Sequence, residues 1–108
     1  MEDTGKIVVL ITTDSSAEAR RIAEALIERR KAACVNIVPR VDSLFWWKGK
    51  LDSAEECLLI VKTKASALDE VTSLVKQIHS YDVPEVIALP IIGGNEDYLR
   101  WVEDEVEG

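Results

Sequence analysis

Ala32–Thr63, AACVNIVPRVDSLFWWKGKLDSAEECLLIVKT, is the stretch on which the fold turns. Along its first half Val35, Ile37, Val41, Phe45 and Trp47 are apolar, while Asn36, Arg40, Asp42 and Lys48 are polar. A period of two is the signature of a β-strand. The second half returns after Lys48-Gly49-Lys50, so the whole reads as one long hairpin. Only its tip breaks the alternation, where Leu44, Phe45, Trp46 and Trp47 are apolar in succession.

The length of this hairpin has a consequence. A strand of about 14 residues at roughly 3.3 Å each spans about 45 Å. A domain of about 100 residues has a radius of gyration near 13 Å and is about 34 Å across. The arm must bend or project, and bare tryptophans on a projecting arm would invite aggregation. The expectation is therefore that a second copy of the chain covers Phe45, Trp46 and Trp47. The alternative is a hairpin curled back at Pro39 onto its own core.

Outward from the hairpin, Lys6–Thr13 (KIVVLITT) is a continuous β-branched run, the pattern of a central strand. Ser15 with Glu18 predicts a capping box, opening a helix that buries Ala19, Ile22, Ala23, Leu26 and Ile27 and ends on Arg29, Arg30 and Lys31. Ser66 is expected to cap a second helix with the stripe Leu68, Val71, Val75 and Ile78. Pro84 stops helix, and Val86–Ile92 reads as a strand with a break or an edge at Pro90. Asn95 caps a final helix whose acidic last turn opposes the dipole and is expected to fray. The order β-α-β-β-α-β plus a terminal helix is that of an α+β, ferredoxin-like split βαβ domain, with one antiparallel sheet and two helices on one face.

At 108 residues the chain is expected to form one domain over residues 1–108. A net charge of −7 argues against nucleic acid or an anionic membrane as partner, since both need a basic face. No run approaches the length of a membrane span and the start, MEDTGK, lacks a leader pattern, so a cytoplasmic location is expected. A hairpin turning at Gly49-Lys50 puts Cys57 opposite Asp42, about 26 Å from Cys34. That distance forbids an intrachain disulfide, which fits a reducing compartment.

Motifs of nucleophilic, nucleotide and zinc chemistry are absent, and no nucleophile stands beside a base, so an enzyme is not expected. The single histidine, His79, lies close to Tyr81, Asp82 and Glu85, a set that could supply part of a divalent-metal site. Read differently, His79 is a helix C-cap bonded to backbone carbonyls. Cys34 is either a soft ligand for copper or a small buried hydrophobe. Glu55, Glu56 and Lys62 read as solvent-facing, unless a neighbouring arm brings Lys62 and Trp47 into a shared cleft.

The run KAACVNIVPRVDSLFWWKGKLDSAEECLLIVKT followed by HSYDVPEVIALPIIGGNEDYLRWV resembles the CutA divalent-cation tolerance proteins, from about Lys6 to Val102. ACVNI, WWKGK, KT, HSYDVPE and YLRW stand in the family's order and spacing. The resemblance implies a ferredoxin-like subunit in a tight homotrimer, with hairpins paired across subunits in an assembly similar to the PII signalling proteins. It also implies association with copper and other divalent cations. Some members carry a cysteine where this chain has Ile11 and a second histidine where it has Ile78. With only His79 left of that set, weak binding is implied, at His79, Asp82 and Glu85. Trp47, Lys62, Tyr81 and Cys34 are the positions expected to line the intersubunit cleft. The function expected is non-enzymatic metal-ion tolerance; the alternative is a PII-like signalling module that takes a small ligand or a partner protein in that cleft.

Overall fold

A computed structural model describes residues 3–108. Among these, strands β1 (Lys6–Thr13), β2 (Cys34–Trp47), β3 (Lys50–Lys64) and β4 (Val86–Pro90) form a sheet. Helices α1 (Ser16–Glu28), α2 (Leu68–Ile78) and α3 (Glu96–Glu105) complete the chain, with a short 3-10 turn at Ala65–Ala67 leading into α2. The strand order is β2-β3-β1-β4 and every pairing is antiparallel, the arrangement of a split βαβ motif.

The hairpin closes where Trp47 pairs with Lys50. Its turn is Lys48-Gly49, with φ of 50° and 78°, so both central residues are left-handed. Such a turn matches the right-handed twist of its strands and puts glycine where a side chain would be strained. Gly49→Ala is expected to destabilise the protein by about 1 kcal/mol, seen as a lower thermal midpoint with unchanged far-UV dichroism.

The register slips between Val38 and Val41, so Pro39 and Arg40 form a bulge, and the Cys57 thiol donates to the Pro39 carbonyl at 3.1 Å. A strand proline costs a ladder bond, and a bulge is where that cost is least. The bulge does not fold the arm onto the core. The molecule is 44 Å along its longest axis, and Trp46 and Trp47 are 76% and 59% exposed. The slip also changes the cysteine geometry. Cys57 lies opposite the bulge rather than Asp42, which pairs with Glu55. Cys34 pairs with Lys62, and both thiols are free.

The core lies on one face of the sheet. Val9, Ile11, Leu59 and Val61 point into it and meet Ile22 and Leu26 of α1 and Val71 and Val75 of α2, all fully buried. The other face carries Val8, Leu10, Leu58, Ile60, Ile87 and Leu89 by strand alternation, the last two about half exposed. Pro90 ends β4, an edge strand, where its missing N–H is tolerated.

The helix ends depart from expectation in three places. Ser15 does accept the Glu18 N–H at 3.1 Å, yet the Glu18 carboxylate turns away to Ser80, so the box is only half formed. Arg29 caps α1 and Arg30 has φ of 58°, so these cations follow the helix rather than closing its last turn. Ser66 caps nothing, because the 3-10 turn intervenes and Ala67 takes the N-cap position. By contrast Asn95 accepts the Asp97 N–H at 3.0 Å, as expected. The acidic end of α3 stays helical to Glu105, where Lys6, Lys64 and Arg30 supply the missing positive charge.

Candidate functional site

The segment after α2 wraps the C-terminal end of β1 and carries the first group of candidate residues. Ile78 ends α2 and His79 caps it, with the His79 N–H donating to the Val75 carbonyl at 2.8 Å. The His79 imidazole is wholly buried. Its Nδ1 accepts the Tyr81 N–H at 3.0 Å, and Nε2 lies 2.8 Å from the Thr12 carbonyl. A carbonyl can only accept, so Nε2 carries the proton and the ring is a neutral bridge between α2 and β1. Both nitrogens are used within the chain. The exposed histidine implied by a metal cluster is therefore a buried C-cap, although Asp82 and Glu85 beside it are exposed.

Two carboxylates are buried in this region: Glu18, which reads from sequence as a capping-box residue, and Glu56, which reads as solvent-facing. Glu18 accepts the Ser80 N–H at 3.2 Å and the Ser80 hydroxyl at 3.1 Å, and its Oε1 stands 3.5 Å from His79 Nδ1. Glu56 is 8% exposed and accepts the Tyr81 hydroxyl at 2.8 Å. Burial, and then that hydrogen bond, pushes the Tyr81 phenol well above its ordinary range. The Tyr81 and His79 rings are 4.8 Å apart. The result is a polar cluster, Thr12-His79-Tyr81-Glu56 with Glu18-Ser80 beside it, that pins one segment to three elements. Among the described residues no group of three or more His, Cys, Asp or Glu side chains is placed to hold a metal ion. The signal for Glu18 was present in the sequence as a capping-box residue; nothing there pointed to Glu56.

A second group lies at the far end of the sheet. Cys34 faces Lys62 across the β2–β3 ladder, and Lys62 Nζ donates to the Asn36 side chain. Burial, followed by the influence of Cys34, pushes the Tyr98 phenol of α3 above its ordinary range. Trp47 is not near this group. It pairs with Lys50, twelve residues from Lys62 along β3, about 40 Å away. Within one chain the structure thus joins Cys34 to Lys62 and Tyr81 to His79, but leaves Trp47 apart from both.

With this geometry established, known proteins bear on it directly. The family model for the CutA1 divalent ion tolerance protein matches residues 7–105. This chain belongs to the CutA1 family. The divalent-cation tolerance protein CutA of Thermus thermophilus is 50% identical over 97 residues, 90% of this chain and 94% of that protein. The chloroplastic protein CutA 1 of Oryza sativa is 51% identical over 98 residues, 91% of this chain. The chain spans only 55% of the rice protein's length. The solved Thermus structure superposes with a TM-score of 0.93 at 47% identity, covering 94% of this chain and 99% of that one. That of the periplasmic CutA from Archaeoglobus fulgidus gives 0.92 at 43% identity, covering 94% and 99%. The long hairpin and the antiparallel sheet are thus features of a CutA1 fold. CutA1 relatives carry both chloroplastic and periplasmic names, and no helix among the described residues is long and apolar enough to cross a membrane.

Proposed function

We propose that this chain serves divalent-cation tolerance as a homotrimer without enzymatic activity, and that copper or another divalent cation binds it weakly at the His79 end. The observation behind the proposal is the apolar surface that one chain leaves bare. Leu44, Trp46, Trp47 and Leu51 stand exposed on the arm, and Ile87 and Leu89 on the open face. Patches of this kind mark association surfaces. Trp47 lies about 40 Å from Lys62, so a cleft lined by Trp47, Lys62, Tyr81 and Cys34 is completed only by another copy's arm. The assembly would then be similar to that of the PII proteins, in the cytoplasm.

The metal reading follows from what is accessible. Asp82 and Glu85 are exposed and meet a cation first. The His79 ring can follow only by giving up its bond to Thr12 or to Tyr81, and that cost makes the binding weak. Titration of copper and zinc into metal-free protein is expected to shift or broaden the His79 ring resonances at millimolar metal. Resonances that stay fixed there remove His79 from the site.

A second reading has one observation in its favour. Lys62 and Cys34 are register partners on the open face, and the cation is suited to a small anionic ligand or a docked partner protein. A ligand that binds the native state raises its melting temperature, so a thermal-shift series with nucleotides and small anions distinguishes this signalling role from metal tolerance.

A further inference from the structure

Three lysines share one end of the open face. Strand alternation puts Lys6 of β1 and Lys62 and Lys64 of β3 on the side opposite α1 and α2, with Lys6 and Lys64 as register partners. The Lys6 and Lys64 side chains are only 14% and 10% exposed. Ammonium groups side by side and so poorly hydrated repel each other and need an anion between them. Glu103 of α3 supplies one, with Oε1 2.9 Å from Lys6 Nζ and Oε2 3.0 Å from Lys64 Nζ. The two lysines in turn hold the Glu103 carboxyl below its ordinary range, Lys6 more than Lys64.

One carboxylate does not balance this end of the sheet. Lys62 donates to the neutral side chain of Asn36, and among the described residues no acidic group besides Glu103 pairs with Lys6 or Lys64. Glu105, two residues on, is taken by Arg30 at 2.5 Å. Three cations thus face one anion, in a chain whose net charge is −7. That anion is also the most accessible member of the set, with the Glu103 side chain 48% exposed. α3 has other attachments, since Val102 and Val106 are buried and the Glu107 N–H donates to the Arg30 carbonyl at 2.9 Å. The carboxylate can therefore swing into solvent while the helix stays docked.

We propose that Lys6 and Lys64 form a binding site for a small dianionic oxyanion of the phosphate class, and that Glu103 is its built-in competitor, holding the lysines until such an anion displaces it. A dianion answers two ammonium groups where a carboxylate answers one, and Lys62 on the same face adds attraction at longer range. The site shares with the signalling reading only the charge of its ligand. It needs neither the arm of another copy nor a metal at His79.

The test is a titration of the intact chain with inorganic phosphate, against chloride at the same ionic strength. The melting midpoint and the lysine side-chain nitrogen resonances are the readouts, because a ligand of the native state raises the first and moves the resonances it touches. The unaltered chain is expected to show both changes, with half-effect at roughly tens of millimolar, since Glu103 fills the site most of the time. Glu103→Gln removes the competing charge at constant size and is expected to bind phosphate about tenfold more tightly. Adding Lys64→Met to that variant is expected to abolish the effect. Phosphate that acts no differently from chloride on either protein overturns the proposal. Binding by Glu103→Gln alone also overturns it, because the site would then be a product of the substitution. Should Glu103→Gln fail to fold, the unaltered chain is compared with Lys64→Met, and equal phosphate binding by the two overturns the proposal. Lys62→Met separates this site from the signalling reading. Binding lost in Lys62→Met but kept in Lys64→Met belongs to that reading and counts against this one.

Discussion

Trp46→Ala combined with Trp47→Ala is expected to turn the proposed trimer into monomers at micromolar concentration while leaving the subunit folded. The two indoles are the largest exposed apolar groups on the arm and have no partner in the core cluster. Their loss therefore leaves no cavity in the fold. In an interface, aromatic anchors of this kind cost at least about 2 kcal/mol each when truncated. Together that is about 4 kcal/mol, a thousandfold weaker association. Sedimentation velocity reads the assembly, and far-UV dichroism of the same sample reads the fold. An intact trimer in the double variant would remove the arm from the interface and, with it, the shared cleft.

The second large effect lies at the other end of the molecule. His79→Ala is expected to lower stability by about 2–4 kcal/mol, because it strands the Thr12 carbonyl and the Tyr81 N–H and empties a buried site. His79→Gln, which keeps a donor and an acceptor, should recover part of that loss. Denaturant unfolding of the three proteins gives the comparison. The same variants separate structure from metal. If copper affinity falls in His79→Ala but returns with stability in His79→Gln, the histidine acts only by holding Asp82 and Glu85 in place. If it falls in both, the imidazole itself is a ligand.

The polar cluster explains why His79 was open to two readings from its neighbours in the chain. HSYDVPE supplies imidazole, phenol and carboxylates at short spacing, which is what a metal site would need. Apart from the local Tyr81 N–H, the groups around the ring come from elsewhere: the Thr12 carbonyl from β1, Glu18 from α1, and Glu56, through Tyr81, from β3. Local spacing does not carry those contacts. Glu56 shows the same thing in reverse. Beside Glu55 it looks like a solvated pair, yet Glu56 is buried and accepts the Tyr81 hydroxyl while Glu55 stays exposed.

What the chain alone determined was whatever depends on near neighbours. The extended strand from Val35 to Trp47, the glycine at the turn, the Ser15 and Asn95 caps and the edge placed by Pro90 are local effects found in the fold. The bulge at Pro39 and Arg40, however, breaks the two-residue period and puts Val41, Phe45 and Trp47 on the face opposite Val35 and Ile37. The projecting arm followed as well, because strand rise against domain diameter is arithmetic on chain length. Tertiary structure decided whatever depends on which strands lie side by side. It moved Cys57 from Asp42 to the Pro39 bulge and set Glu103 between Lys6 and Lys64. Pairings between residues far apart in sequence rest on register and packing, which no short window of residues specifies.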